Sequence, residues 1–292
     1  MTLTLIADCG STKIEWAVID INASASLEPL KTFRSTGFNA AVTPAENISH
    51  ILATEVTPVT MGLKIENVHF YGAGCIGGEV DKQLRLLLSE VFPDAKIEVA
   101  SDLLGAARAL FGNNQGIACI LGSGSNSGLY NGKEIIANTP PMGYILGDEG
   151  SGAVLGRQLI NHIFKHPGVI SKEIIDDFNE TYHLTKADVI ENVYRRQAAN
   201  RYLASFSPFI KKHITDPTIH QIVYSAFSDF FSANLTNYIS TPTAIPIGFI
   251  GSIAHHFADV LTEATISAGY SSPNIQQSPL NNLIAYHQGI LI

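Results

Sequence analysis

Two short turns and a few acidic positions hold most of the chemistry open to this sequence. Residues 8–13 read Asp8-Cys9-Gly10-Ser11-Thr12-Lys13, and residues 122–126 read Gly122-Ser123-Gly124-Ser125-Asn126. A turn built from Gly, Ser and Thr exposes backbone N–H groups and short hydroxyls, and such a nest binds phosphate oxygens. Glycine lets the backbone come close. Either turn alone also serves as a plain strand connection, but two related turns point to a clamp on a polyphosphate. Asp8 either caps the first turn or holds Mg²⁺, through water, beside the phosphates. Lys13 is either a solvated hairpin charge or a phosphate partner. Asp102 follows a strand and opens a helix, where Asp often serves as N-cap. Its alternative is to accept the proton of a hydroxyl that attacks a γ-phosphoryl group, a reaction that depends on positioning and charge neutralisation.

Residues 143–152, Gly143-Tyr144-Ile145-Leu146-Gly147-Asp148-Glu149-Gly150-Ser151-Gly152, set two adjacent carboxylates in a glycine frame ahead of a helix. Acids there suit the helix dipole. They also suit a small polar ligand, since Asp148 and Glu149 can accept from sugar hydroxyls and Tyr144 can stack on a sugar face. Gly251-Ser252 lies between a buried strand and a helix; it is an ordinary junction or the place where a flat ligand meets the helix N-terminus.

These residues need elements to hold them. Residues 3–20 read as strand, turn, strand, with Ile14, Trp16 and Val18 on a fully apolar face. A helix is expected over 45–61, a strand over 67–72, a glycine-rich loop over 72–78 and an amphipathic helix over 79–92, with Leu84, Leu87, Leu88 and Val91 on one face. A strand at 97–100 leads into a helix at 103–111. Residues 116–136 then repeat the opening: a strand at 117–121, the second turn, a return strand at 127–130 and an Asn131-Gly132 hairpin leading to 133–137. Such duplication decides the fold. Residues 150–240 read as mostly helical. A strand at 245–250, a helix at 253–268, a strand near 274–276 and a helix from 280 complete the chain. Strands alternating with helices predict an α/β protein.

The chain has 292 residues, 46% apolar and 15% charged, with a net charge of -8. That excludes intrinsic disorder, and no basic stripe marks a nucleic-acid partner. No run approaches a membrane span of ~20 apolar residues. Cys9, Cys75 and Cys119 are too scattered for a disulfide framework or a zinc site, and the expected compartment is the cytoplasm. The adjacent His255 and His256 do not form a metal pair. Tyr202, Phe206, Phe209, Tyr224, Phe227, Phe230 and Phe231 recur at helical spacing, as core packing or, in part, as the surface of a homodimer.

Taken together, the motifs resemble the actin/hexokinase/Hsp70 ATPase superfamily and, within it, the N-acetylglucosamine kinases and related BadF/BadG-type ATPases. Residues 8–13 resemble its first phosphate motif, Leu121 to Asn126 its second, and Gly248-Phe249-Ile250-Gly251-Ser252 its adenosine motif. Ser101-Asp102 falls where these kinases carry their catalytic Asp. The 143–151 loop is similar to the amino-sugar kinase version, although Tyr144 stands where that version has Trp. Thr36-Gly37-Phe38-Asn39 falls where those kinases carry a sugar-contacting Asn. The resemblance spans residues 5–255 in order. It implies two duplicated actin/ribonuclease-H-like domains, each a mixed sheet flanked by helices, with a cleft between them. The expected boundaries are 1–112, with a C-terminal helix at 279–292 packing back on it, and 113–278, with a helical insertion at 150–240. It further implies ATP and Mg²⁺, a small sugar substrate phosphorylated on its 6-hydroxyl, and Asp102 as base. Asn39, Asn126 and Asp148 would hold the sugar, with Tyr144 and Glu149 nearby. Asp8, Gly10, Ser11, Thr12, Lys13, Gly122, Ser123, Gly124, Ser125, Gly251 and Ser252 would hold the nucleotide and its metal. Two other functions remain open: an ATPase that activates a dehydratase or reductase through a cluster-ligating Cys, and a non-catalytic sugar sensor.

Overall fold

Strand β1, Leu3–Cys9, and strand β2, Lys13–Asp20, are dominated by apolar side chains on both faces, so both faces must be covered. They pair antiparallel, with Asp8 opposite Glu15 and Cys9 opposite Ile14. The computed structural model describes residues 2–22, 28–166, 168–236, 238 and 245–291. The chain divides into two units: Met1–Gly116 with Tyr130–Ile136 and Ser278–Ile292, and Ile117–Leu129 with Ala137–Gln277.

In unit 1, β3 (Lys31–Thr36), β4 (Ile65–Gly72) and β5 (Lys96–Ser101) complete a five-stranded sheet in the order β3-β2-β1-β4-β5. β4 and β5 run parallel to β1, so the sheet is mixed. Helix α1 (Ala45–Ile51) continues through a π-helical turn, Leu52–Val56, into α2 (Thr57–Thr60). With α3 (Gly78–Val91) it covers one face, burying Ile48, Leu52, Val56, Leu84 and Leu88 against Leu5, Trp16, Val18 and Phe70. Trp16 stacks on Phe33 and donates from Nε1 to Ser35 Oγ at 2.9 Å, so its one polar atom is satisfied. Helix α4 (Asp102–Phe111) follows β5 directly. The chain returns at its end to unit 1 as α14 (Leu280–His287), where Asn282 Nδ2 donates to Ala109 O at 2.8 Å.

The second sheet runs β10-β9-β6-β7-β8. Its strands are β6 (Gln115–Leu121), β7 (Ser125–Asn131), β8 (Ile135–Thr139), β9 (Ile247–Ile250) and β10 (Asn274–Gln276). Put β6 to β10 in place of β1 to β5, and the order is that of the first sheet, with the same parallel pairings, β6 with β9 and β9 with β10. The duplication read from the two turns is therefore a duplication of topology. Unit 2 adds a short α5 (Gly143–Leu146) and six longer helices: α6 (Gly152–Lys165), α7 (Lys172–Tyr182), α8 (Lys186–Tyr194), α9 (Ala199–Ala204), α10 (Ser207–Lys212) and α11 (Pro217–Asn234). The two helices α12 (Ser252–His256) and α13 (Ala258–Ser267) follow β9.

Three local expectations change. β3 carries an exposed, polar sequence with little hydrophobic alternation, so only its pairing with β2 identifies it. The helix expected over 253–268 breaks at Phe257, which leaves helical dihedrals and buries its ring in the unit 2 core. Phe206, Phe209, Phe227, Phe230 and Phe231 are buried in that same core, with the partly buried Tyr202 and Tyr224 packed against it, so the five phenylalanines are core packing. The last positions of the expected 150–240 helical stretch, 237 and 239–240, lie outside the described residues, as do residues 23–27 and 292 of the expected N-terminal domain and its returning helix. Among the described residues no helix is long and apolar enough to cross a membrane.

Candidate active site

Ligands of open α/β sheets gather at the carboxyl ends of parallel strands, and in unit 1 the predicted residues meet there. Asp8 is the penultimate residue of β1, and Asp102 follows the last residue of β5. Only β4 separates the two strands, so their backbones are about 10 Å apart. Between them β4 ends in Gly72, which pairs with both Cys9 and Ser101. Asp102 is not the helix cap. Ser101 is, its hydroxyl accepting from Leu104 N at 3.2 Å. The Asp102 Oδ1 atom accepts from Leu103 N at 2.8 Å. Burial raises the Asp102 pKa to about 6. Burial, with help from the charges of Asp102 and Glu15, raises that of Asp8 to about 7, against a smaller pull from Lys13.

The turn between β1 and β2 is closed by Gly10 N donating to Lys13 O at 3.1 Å. The segment after β3 lies across it: Gly37 N donates to Thr12 O at 3.1 Å, and a Cβ on Gly37 would collide with Gly10 O and Lys13 N. Asn39 follows two residues later. Its Oδ1 accepts from Ala41 N at 3.0 Å and sits where a Cβ on Gly74 would be, and its amide nitrogen has no hydrogen-bond partner among the described residues. Lys13 Nζ is 2.9 Å from Glu15 Oε1, to which Arg34 also donates at 2.8 Å, while Ser278 Oγ donates to Oε2 at 2.7 Å. Glu15 thus anchors Lys13 and ties two strands to the returning C-terminal segment. An acid inside an otherwise apolar strand was the signal for it. These contacts hold its pKa below the usual carboxylate value despite its burial; the largest influence is burial, which acts upward, and the Ser278 hydrogen bond leads those acting downward.

In unit 2 the turn 122–125 is held from beneath by the start of α6. Gly152 N donates to Gly122 O at 2.9 Å and Ala153 N to Ser123 O at 3.3 Å, while Ser151 caps the helix through Val154 N. The carboxyl ends of β6 and β9 touch: Gly251, at φ +128°, sits where a Cβ would strike Leu121 O. The proposed adenosine motif, Gly251 and Ser252, is therefore a direct neighbour of the second phosphate turn. Asp148 adopts a left-handed backbone at φ +56°. Its buried carboxylate accepts from Ser125 N at 3.3 Å, and burial, with a smaller push from Glu149, raises its pKa. Glu149 instead turns to α11, where Asn234 Nδ2 donates to it at 3.2 Å. Tyr144 lies on α5 with its backbone oxygen held by Arg157 at 3.1 Å, beside the exposed Ile145 and Leu146. Asn126 belongs to β7. Its Oδ1 accepts from Ser127 N and from Asn138 Nδ2, each at 2.9 Å. Asn138 escaped the sequence reading because an exposed Asn on an edge strand carries no pattern.

Mg²⁺ prefers oxygen ligands and commonly binds through one or two carboxylates, waters and substrate phosphates. Asp8 fits that preference: a carboxylate raised in pKa by burial and by neighbouring acids, with its one lysine neighbour engaged by Glu15. Among the described residues, no group of three or more His, Cys, Asp or Glu is placed to hold a metal. Cys9, Cys75 and Cys119 are all buried.

No protein-family profile and no curated protein matches the chain. Among solved structures, the proposed N-acetylglucosamine kinase of Porphyromonas gingivalis is 42% identical, covers 100% of each chain and superposes with a TM-score of 0.91. The proposed N-acetylglucosamine kinase of Chromobacterium violaceum, 15% identical over 98% of this chain and 99% of its own, gives a TM-score of 0.70. A ROK family glucokinase from Streptomyces griseus, solved with glucose and AMPPNP, is 16% identical over 98% of both chains with a TM-score of 0.53. The latter two share the fold. The units are therefore a pair of actin-like, ribonuclease-H-like α/β domains, and the chain belongs to the same family as the Porphyromonas protein, among the sugar kinases of the actin-like ATPase superfamily.

Proposed function

We propose that the protein transfers the γ-phosphoryl group of ATP to a hydroxyl of an N-acetylhexosamine, N-acetylglucosamine first among them, giving the 6-phosphate, as a BadF/BadG-type kinase. The observation that carries this reading is Asp102: a buried carboxyl whose pKa is raised to about 6, released from capping by Ser101, on the same sheet edge as Asp8. A base with a pKa near the working pH is the efficient kind. The sugar hydroxyl oxygen attacks the γ-phosphorus, the bond from that phosphorus to the β–γ bridging oxygen breaks, ADP leaves, and the hydroxyl proton passes to Asp102 Oδ2. Asp8 would hold Mg²⁺, which when bound neutralises phosphate charge. The turns 10–13 and 122–125 hold phosphate oxygens, with Gly10 N and Gly122 N spent on closing the turns and Ser125 N on Asp148, and Gly251 and Ser252 take the adenosine. Asn39, Asn126 and Asp148 hold the sugar hydroxyls, with Tyr144 and Glu149 beside them. Aligning the attacking oxygen with the phosphorus supplies much of the acceleration.

The 42% identity to a proposed N-acetylglucosamine kinase over the whole of both chains supports this sugar class. Activation of a dehydratase through an inter-subunit cluster would require an accessible thiolate, and each of the three cysteines is buried. A coupled ADP-release assay over hexoses, hexosamines and their N-acetyl forms tests the proposal. Highest kcat/KM with an N-acetylhexosamine is expected. ATP-dependent turnover of no sugar, with retained sugar binding, would favour the sensor reading instead.

A further inference from the structure

An Asn side chain presents either a carbonyl acceptor or N–H donors to a ligand, according to how its amide is turned. At Asn126 the turn is decided by its neighbours. A backbone N–H can only donate, so the atom facing Ser127 N must be the carbonyl oxygen. The second bond to that oxygen comes from Asn138 Nδ2, whose other hydrogen goes to Ser127 O at 2.6 Å. Both lone pairs of Asn126 Oδ1 are thereby used, and its NH₂ group has no acceptor among the described residues. Asn138 is itself on a braced strand. The next residue, Thr139, donates from N to Tyr238 OH at 2.7 Å and from Oγ1 to Asn234 O at 2.7 Å, while Tyr238 OH donates to Ser127 O at 2.9 Å.

We propose that Asn138 is a positioning residue that fixes Asn126 with its N–H groups outward, so that this position reads an acceptor oxygen on the sugar, a hydroxyl or an N-acetyl carbonyl. The inference rests on the reading of Asn126 as a sugar contact. Asn138 makes no contact with the sugar; it acts by removing the flipped amide, which would offer a carbonyl instead.

A double-mutant cycle on the full chain tests this, with sugar KM, ATP KM and melting temperature read for each variant. Asn138→Ala is expected to raise the sugar KM about 5-fold, the worth of one ordinary hydrogen bond, with ATP KM within 2-fold and little change in melting temperature. Asn138→Asp, which sets a carboxylate against two acceptor oxygens, is expected to raise it more. In the Asn126→Ala background the Asn138→Ala change should cost nothing further, since coupling of this kind is non-additive. Should Asn138→Ala melt early, Asn138→Ser, which keeps one donor, should show an intermediate sugar KM at native stability. An equal loss from Asn138→Ala with and without Asn126, or an ATP KM that rises alongside the sugar KM, overturns the positioning role while leaving Asn126 as a contact. An unchanged sugar KM in Asn126→Ala alone removes the contact itself, and the inference with it.

Discussion

The two sheets share one strand order, yet they solve different problems at their carboxyl ends. Unit 1 gathers charge there. Asp8, Glu15 and Asp102 crowd the end of its sheet, and burial together with mutual repulsion raises the pKa of Asp8 to about 7. Unit 2 gathers backbone amides and fixed hydrogen-bond polarity: the second turn rests on the start of α6, Asp148 braces Ser125, and Asn138 orients Asn126. The interiors differ in the same sense. Behind the unit 1 sheet, Arg108 donates to Tyr71 and Glu98, and His287 reaches Tyr71 OH. The core of unit 2 sets Phe178, Phe206, Phe227, Phe230 and Phe249, all fully buried, among aliphatic side chains. On the proposed function, one topology would support acid–base chemistry in one copy and ligand reading in the other. The difference lies in side chains at matching strand ends and not in the backbone plan.

The largest expected effect separates the copies by chemistry. Asp102→Asn should lower kcat by about 10²- to 10⁴-fold, the range of general-base catalysis, with the sugar dissociation constant nearly unchanged by calorimetry. Near-normal turnover would remove Asp102 from the reaction. Because its pKa is raised to about 6, wild-type kcat/KM should fall as the pH drops through that region and the base becomes protonated.

Asp148→Ala addresses the reading copy. The sugar KM should rise about 5- to 100-fold, for a loss of roughly 1–3 kcal/mol, and ATP KM should rise too, because Ser125 N loses its acceptor. Asp148→Asn keeps an acceptor for that N–H and should restore ATP KM but not sugar KM. An unaltered sugar KM in both variants would leave Asp148 as a brace for the turn.

Asp8→Asn should stabilise the nucleotide-free protein. With the folded pKa raised from 3.8 to about 7, the folded chain holds a proton that the unfolded chain releases, so stability declines as pH rises across that interval. Removing the charge should raise the melting temperature by a few degrees at neutral pH, at about 2–4 °C per kcal/mol. A lower melting temperature in scanning fluorimetry would count against the crowding of charge in unit 1.

The smallest effect concerns the back of the same unit. His287 stacks on His69 with ring centroids 3.8 Å apart, and Arg108, Tyr71, Glu98 and Tyr286 also face it. Burial, then the charges of His69 and Arg108, lower its pKa from 6.5 to about 3. The unfolded chain takes up this proton below pH 6.5 and the folded chain does not, so stability falls as pH drops through that window, by up to about 1.4 kcal/mol per unit. His287→Gln should flatten the fall in melting temperature between pH 6.5 and 5. A slope equal to wild type would release His287 from this role.

Much of this was legible in the sequence for a physical reason. Buried parallel strands read as apolar runs, and tight turns favour Gly, Ser and Thr, so 3–9, 117–121 and both turns announce themselves in residue type alone. The same is true of the amphipathic helix at 78–91, where Leu84 and Leu88 face the core. The strand at 31–36 did not, because pairing with β2 holds it and not burial. Nor did the break at Phe257, where packing of one ring outweighs helical continuity.

What the sequence determined by itself was the duplicated α/β plan and the identity of the acids beside glycine turns, since both follow from local composition and period. The structure decided that Ser101 and not Asp102 takes the N-cap of α4, Asp102 accepting from Leu103 N instead. It also decided the engagement of Lys13 by Glu15 and the orientation of Asn126 by Asn138. Protonation and hydrogen-bond polarity depend on burial and on where side chains point, both for partners close in sequence, such as Glu15 and Lys13, and for distant ones, such as Ser278 and Glu15, and residue type alone encodes neither.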